Sequence, residues 1–458
     1  MSDFDLIVRG HDRDIGIAEG KFVVLAPNLR GEAREEIDGT KLSVFPGVID
    51  SHVHFNEPGR TEWEGFETGS RAAAAGGTTT IFDMPLNAHP PTIDGASFDL
   101  KRQAAERKTL VDFALWGGLV PHNFERLAEL RDRGVIGLKA FMCNSGIDDF
   151  PAVDAVTLRA GMKRAAELDL LVAVHAESKE LTARLTKEKI ARGKIGVSDF
   201  LTTRPVQAEF DAIRCALDLA AATGCRLHIV HVSIASGVKL VAEARADGVD
   251  ATCETCPHYL LLTATDMERL GAVAKCAPPL RTANEQNELW QALPQVDTLG
   301  SDHSPAPWTM KAKENFFEVW GGISGCQHLL PLLVDSSKLS RDEIVRLTSE
   351  SVAARFRVPA KGGIEIGKDA DLTLMDPAGE DKIATGSLLY RHRHSPYVGR
   401  TLHGRVIRTI LRGKTIFENG RFVGAPSGRF LRPQESRKEQ RAEIVGDPSS
   451  SSRLRMTN

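Results

Sequence analysis

The chain has no apolar run approaching the ~20 residues that a helix needs to span a bilayer, so no transmembrane anchor is expected. It has no GxGxxG and no GxxxxGK[ST] stretch, which removes the usual nucleotide-binding signatures. It also lacks an excess of charge of either sign: 58 basic against 61 acidic residues leave a net charge of −3, so neither nucleic acid nor an anionic membrane is an expected partner. The opening MSDFDLIVRG is acidic and runs directly into a strand pattern, unlike a secretory leader, and the cytoplasm is the expected compartment. Seven scattered cysteines, an odd number, do not suit a disulfide framework and fit free thiols in a reducing compartment. One CxxC occurs, Cys253 to Cys256, but no second pair accompanies it and it leaves a strand-like segment instead of opening a helix, so neither a redox nor a structural zinc role is assigned. No short-period repeat is present.

What is present is a long, ordinary globular chain. At 458 residues it exceeds one common domain and suits a barrel of ~250 residues with a smaller module attached. Residues 1–47 are short strands with glycine turns, and the same texture returns over residues 359–430, in GGIEIGKDADLTLMD and RVIRTILRGKTIFENGRFV. Both ends are therefore expected to build one small β-sandwich. Residues 431–458 are polar and Ser-rich with scarcely any aliphatic side chains, which predicts a disordered tail.

Residues 48–358 alternate strand and helix signals, the pattern of parallel βα units. Eight strand candidates can be counted: Val48–His52, Thr79–Asp83, Val111–Trp116, Ile136–Phe141, Leu170–His175, Arg226–His231, Val249–Thr255 and Thr298–Asp302. Helical stretches lie between them, among them Glu64–Ala75, Ala208–Thr223 and Ala235–Ala246. Eight such units close into an α/β fold of the TIM (β/α)8 barrel type more readily than into an open sheet.

The chemistry-bearing residues fall at strand ends. The first strand runs into His52-Val53-His54, and alternation along a strand puts both imidazoles on one side, half of a metal site. The fourth carries Lys139, the fifth ends at His175, the sixth at His231 and the eighth at Asp302. In a barrel these ends converge on one mouth, so four histidines, a lysine and an aspartate there point to a metal centre. An ammonium would repel a cation. A lysine whose pKa is lowered by burial is instead a nucleophile and could take up carbon dioxide, giving an anionic carbamate with two oxygens that can bridge two ions. Apolar Ile136, Leu138 and Phe141 around Lys139 favour burial over a surface position.

The motifs PGVIDSHVHFNEPGRTEWEGFETG, GGTTTIFDMPLN, GLKAFMCNSGIDDF, VHAES, HIVHVS, ETCPHYL, KCAPPLR and GSDHSPAPWTMKAKENFFEVWGGISGCQ span residues 45–327. In them the chain resembles the cyclic amidohydrolases of the amidohydrolase superfamily, the group of dihydroorotases, hydantoinases and allantoinases, and within that group the allantoinases. The resemblance implies a binuclear centre of two divalent ions, zinc first and manganese, cobalt or iron as alternatives. His52, His54 and Asp302 would hold one ion, His175 and His231 the other, with carboxylated Lys139 bridging them. Asp302 would also be the catalytic acid–base group. The implied reaction is hydrolysis of the cyclic amide of allantoin to allantoate, a step of purine breakdown, by a homotetramer or dimer.

Substrate contacts rest on fewer residues. Dihydroorotases place a carboxylate-binding arginine two residues after the second histidine, where this chain has Asn56. Hydantoinases and dihydropyrimidinases carry a tyrosine a few residues beyond the bridging lysine, where Phe141-Met142-Cys143-Asn144 stands here. Asn56, Asn87, Cys143, Asn144 and Ser304 are the candidates to meet the ureido side chain and ring of allantoin, and each could equally be a local turn cap. His258 is either support for the centre or a packed histidine, and Arg60 reads as structural. A related cyclic amide as substrate, or a non-catalytic scaffold of the same fold, are the rival readings; six filled ligand positions count against the scaffold.

Overall fold

The computed structural model describes residues 2–435, so the expected tail lies outside the described residues beyond its first five. Eight strands form the barrel: Val48–Val53, Thr78–Asp83, Asp112–Leu115, Leu138–Phe141, Leu171–His175, Arg226–Ile229, Ala251–Thr255 and Thr298–Leu299. Paired neighbours run parallel, as for Leu138–Phe141 against Leu171–His175 and Val48–Val53 against Thr78–Asp83, and Gly117–Gly118, just past the third strand, makes the pairing to the fourth. Parallel strands need a long crossover, and helices such as Phe66–Ala75, Val206–Thr223 and Ala235–Ala246 supply it. Every residue of the first two strands is buried, as a strand covered on both faces should be. The ring closes where Val53 bridges His303 in parallel and the His54 N–H donates to the His303 carbonyl at 2.8 Å.

The second module consists of two sheets. One is purely N-terminal, with the strands Phe4–Arg9, Asp14–Ala18, Lys21–Ala26 and Ala33–Asp38. The other joins both chain ends: Ser43–Pro46 pairs antiparallel with Leu372–Lys382, which pairs with Thr401–Leu411. Leu6, Val8, Ile17 and Phe22 from one end pack with Leu372, Leu374 and Ile410 from the other in a shared core.

Two stretches assigned from sequence to the sandwich or the tail pack on the barrel instead. Leu388, Tyr390 and Tyr397 are buried in the barrel's main core, and the Ser395 hydroxyl donates to the Ser324 carbonyl at 2.8 Å. Phe430 bridges Phe113 in parallel, with the Leu431 N–H donating to the Phe113 carbonyl at 2.8 Å. The Phe430 ring stands between Phe98 and Phe113, so residues 428–431 lie against the third barrel strand.

Candidate metal centre

The first strand delivers His52, and His54 follows it two residues on. Their Nε2 atoms lie 3.2 and 3.4 Å from Asp302 Oδ1. One ligand atom from each falls within 4.8 Å of the others, a group able to hold a metal ion. Across from them His175 Nδ1 lies 3.1 Å from His231 Nε2. The His52 and His231 rings are 5.4 Å apart, which sets the two groups side by side at the strand ends. His231 and Asp302 both adopt left-handed backbone, φ 41° and 46°, as do Asn56 and Asn87. Such conformations cost non-glycine residues energy, and here they turn side chains inward just where strands end.

Lys139 lies within the same cluster. It is fully buried, and among the described residues its Nζ has no hydrogen-bond partner. A buried ammonium without an acceptor is strongly disfavoured; burial pulls its pKa down to about 8, with Asp302 and Glu254 offsetting part of the effect. Burial likewise lowers His54 to about 4 and takes His231 well below the usual imidazole range, the latter helped by Lys139 and His175. Burial alone would raise Asp302, yet His52, His54 and His231 hold it well below the usual carboxylate range. The lowered imidazoles of His54 and His231, an ionised carboxylate and an orphaned lysine nitrogen form a donor set that fits divalent ions; against burial, Cys143 and Glu177 raise His175 to about 9, so an ion held there displaces its proton.

Cys143, His175 and Glu177 also converge within 4.8 Å. We do not read them as a site. Glu177 Oε2 already accepts from His175 Nε2 at 2.8 Å and from Arg204 Nη1 at 2.5 Å. A further cation would have to sit against that guanidinium.

The candidate substrate residues divide. Asn144 caps its own turn, its Oδ1 accepting from the Gly146 N–H at 2.9 Å. Asn87 faces the His54 ring, Nδ2 to Nδ1 3.3 Å, with its Oδ1 unpartnered. Turning the amide over would let the oxygen accept the Nδ1 proton and leave Nε2 free toward Asp302. Cys143 is buried with its thiol 3.9 Å from Glu177. Asn56 is fully buried, donates only a long 3.4 Å bond to the Pro305 carbonyl, and has an unpartnered Oδ1. Ser304 is buried beside Gly322, where a Cβ would come within 2.2 Å of the Ser304 carbonyl oxygen, so only glycine fits there. Arg60 donates to the Asn87 and Ala88 carbonyls and pairs with Asp149, a structural role. His258 is buried with neither ring nitrogen bonded. A cavity of about 1000 Å³, lined by Asn144, Arg204, Lys275 and Trp320 among others, adjoins the centre through the Arg204–Glu177 pair, although none of the candidate metal ligands lines it.

Sequence reasoning passed over two carboxylates. Glu254 Oε1 lies 2.7 Å from His52 Nδ1, and Glu177 meets His175 as described. Glu254 stands inside the CETC stretch and opens the ETCPHYL motif, yet sequence alone assigns it no role; Cys253 and Cys256 prove to be buried free thiols. The available signal was chemical: a metal-bound imidazole needs an acceptor for its other N–H, so an acidic residue at a neighbouring strand end should be sought.

A parallel barrel with a separate sheet module and histidines gathered at its strand ends defines a class, and the comparisons agree. The sequence pattern of the amidohydrolase family matches residues 43–416, and the chain belongs to that family. Within it, the chain is similar to curated allantoinases: it is 54% identical to the allantoinase of Rubrobacter xylanophilus over 454 residues, covering 96% of this chain and 100% of that protein. It is 47% identical to the allantoinase of Deinococcus radiodurans, covering 94% and 99%. Among solved structures it is similar to the L-hydantoinase (dihydropyrimidinase) of Arthrobacter aurescens, with a TM-score of 0.91 and 33% identity over 94% of this chain and 100% of that one. The dihydropyrimidinase of Brevibacillus agri gives 0.86 and 32%, over 95% and 99%.

Proposed function

We propose that the chain hydrolyses the cyclic amide of allantoin to allantoate. His52, His54 and Asp302 would hold one divalent ion, His175 and His231 a second, and carboxylated Lys139 would lie between them. The convergence of these side chains around a buried, unpartnered lysine nitrogen is the observation that carries the reading. Zinc suits histidine and carboxylate ligands best, with manganese, cobalt or iron as alternatives. When bound, a pair of such ions lowers the pKa of a water and polarises the carbonyl under attack. The protein's own contribution is orientation and proton transfer. Asp302, ionised among imidazoles, accepts the proton of the attacking water and returns it to the ring nitrogen as the amide bond breaks. Asn56 and Ser304 present polar atoms to the ring and ureido group, while Asn87 supports the His54 ring and Cys143 packs behind His175.

Substrate choice follows from a missing charge. Dihydroorotate would leave its carboxylate without a cation at position 56, a costly burial. Allantoin brings no such charge. The likeness to hydantoinases sustains a second reading, the same reaction on a hydantoin or dihydropyrimidine ring, against which stands the absence of tyrosine between Phe141 and Asn144. A homo-oligomer, tetramer or dimer, in the cytoplasm completes the proposal. The test is a side-by-side steady-state assay of allantoin, dihydroorotate, hydantoin and dihydrouracil on one metal-loaded preparation. We expect kcat/KM for allantoin at least about a hundredfold above dihydroorotate, a plausible discrimination for a mismatched polar group. A better rate on any of the three rival rings would refute the allantoin assignment and leave the cyclic amidohydrolase standing.

A further inference from the structure

The two carboxylates that sequence reasoning missed are disposed unlike one another. Glu254 Oε1 meets His52 at Nδ1, 2.7 Å, and Glu254 Oε2 accepts the Ser51 hydroxyl at 2.8 Å. With its Nδ1–H so engaged, His52 turns Nε2 toward Asp302. Glu177 meets His175 at the opposite nitrogen, Nε2, and leaves Nδ1 to face His231. Both carboxylates are buried. His54 has only the Asn87 amide behind it, and His231 Nδ1 has no partner. Each half of the centre therefore contains one imidazole braced by an anion, and the two braces impose opposite tautomers.

A carboxylate behind an imidazole fixes its tautomer and ring angle and makes the other nitrogen a stronger donor, and its loss typically weakens metal affinity by about 10–100-fold. The braces share no residue: Glu254 is anchored by Ser51, on the first strand, and Glu177 by Arg204. We propose that Glu254 and Glu177 are positioning residues that each secure a different ion, Glu254 the one at His52, His54 and Asp302, and Glu177 the one at His175 and His231. The inference rests on the two-ion reading above and deepens it. In each carboxylate the change to glutamine keeps the shape and an acceptor oxygen while removing the charge.

The experiment measures bound metal by elemental analysis after dialysis against graded chelator, on wild type, Glu254→Gln, Glu177→Gln and His231→Ala, and on each glutamine variant combined with His231→Ala. Circular dichroism confirms folding of each. Each glutamine variant should release one ion at about tenfold to a hundredfold lower chelator strength and keep the other as tightly as wild type. Glu177→Gln should add nothing to His231→Ala, since both act on one half, whereas Glu254→Gln with His231→Ala should loosen both ions. Wild-type chelator resistance in either glutamine variant, or simultaneous loss of both ions from it, overturns the inference while the two-ion reading survives. A wild-type protein that holds no ion overturns both.

Discussion

Replacing Lys361 with methionine removes the one ammonium at the centre of a buried ionic cluster. Its Nζ lies 2.5 Å from Asp112, 2.8 Å from Asp371 and 3.0 Å from Asp369. Asp112 opens the third barrel strand, while Asp369 and Asp371 lead into the sandwich strand Leu372–Lys382, so the cluster fastens one module to the other. Arg412 also pairs with Asp112, and Lys21 with Asp369, but among the described residues Asp371 has no other side-chain cation. Removing one partner of a buried ion pair costs about 3–5 kcal/mol, because the survivor is left desolvated and unpaired. Methionine keeps the volume, so packing loss adds little. Urea titration followed by circular dichroism should show the first transition lowered by about 1 M or more at neutral pH. The deficit should depend on pH. Burial and Asp112 already hold Asp371 above the usual carboxylate range despite Lys361, and without the ammonium it rises further. A carboxyl whose folded pKa exceeds its unfolded one favours the fold at low pH and loses that contribution as pH rises through the folded value. The gap between variant and wild type is therefore widest near neutrality and narrows as pH falls toward 5. An unchanged midpoint at neutral pH, or a gap that widens in acid, would refute the reasoning.

Lys139→Ala should lose bound metal and most activity, and small carboxylic acids should restore part of both by standing in for the carbamate; wild-type metal content and turnover in the variant would exclude a bridging role. Asp302→Asn can still offer a carbonyl oxygen to a metal but cannot accept a proton, so kcat should fall by about 10²–10⁴-fold or more; near-normal turnover with both ions bound would exclude Asp302 as the base. Asn56→Arg should reduce kcat/KM for allantoin through bulk and charge without necessarily creating activity on dihydroorotate, as the same steady-state assay will read. Phe430→Ala should cost about 2 kcal/mol, less than a fully buried phenylalanine would, because its ring is only partly covered between Phe98 and Phe113; a neutral effect on the urea midpoint would mean that residues 428–431 do not secure the third strand.

The barrel was legible because its signals are local and periodic. All eight expected strands overlap observed ones, although the sixth and eighth stop at Ile229 and Leu299, short of His231 and Asp302; Ala235–Ala246 is helical over the expected span. The ligand cluster was legible for a related reason: histidine, lysine and aspartate at the ends of parallel strands can only converge. What escaped depends on partners far away in sequence. Nothing near Glu254 announces His52, 202 residues distant, as its partner. Tyr390 and Phe430 sit in stretches whose strand texture or polarity suggested the sandwich or a loose end, and only the barrel surface opposite them explains their burial. Asn87 could be named as a polar residue near the site, but which way its amide faces is set by the His54 ring.

The strand Ser43–Pro46 leaves the ribosome more than 320 residues before its partner Leu372–Met375. Likewise Asp302 joins His52 and His54 only after every other barrel strand has been made. The metal group is thus complete only once the eighth strand has been made. Until Leu372 emerges, Ser43–Pro46 is an edge without its mate, and unpaired strand edges on incomplete chains are templates for aggregation. Expression of the full chain at slow synthesis rates is where that hazard would be felt, and a chaperone that shields the N-terminal strands during those seconds would relieve it. The pairing that joins the two ends of the sheet module also imposes one of the longer waits in making it.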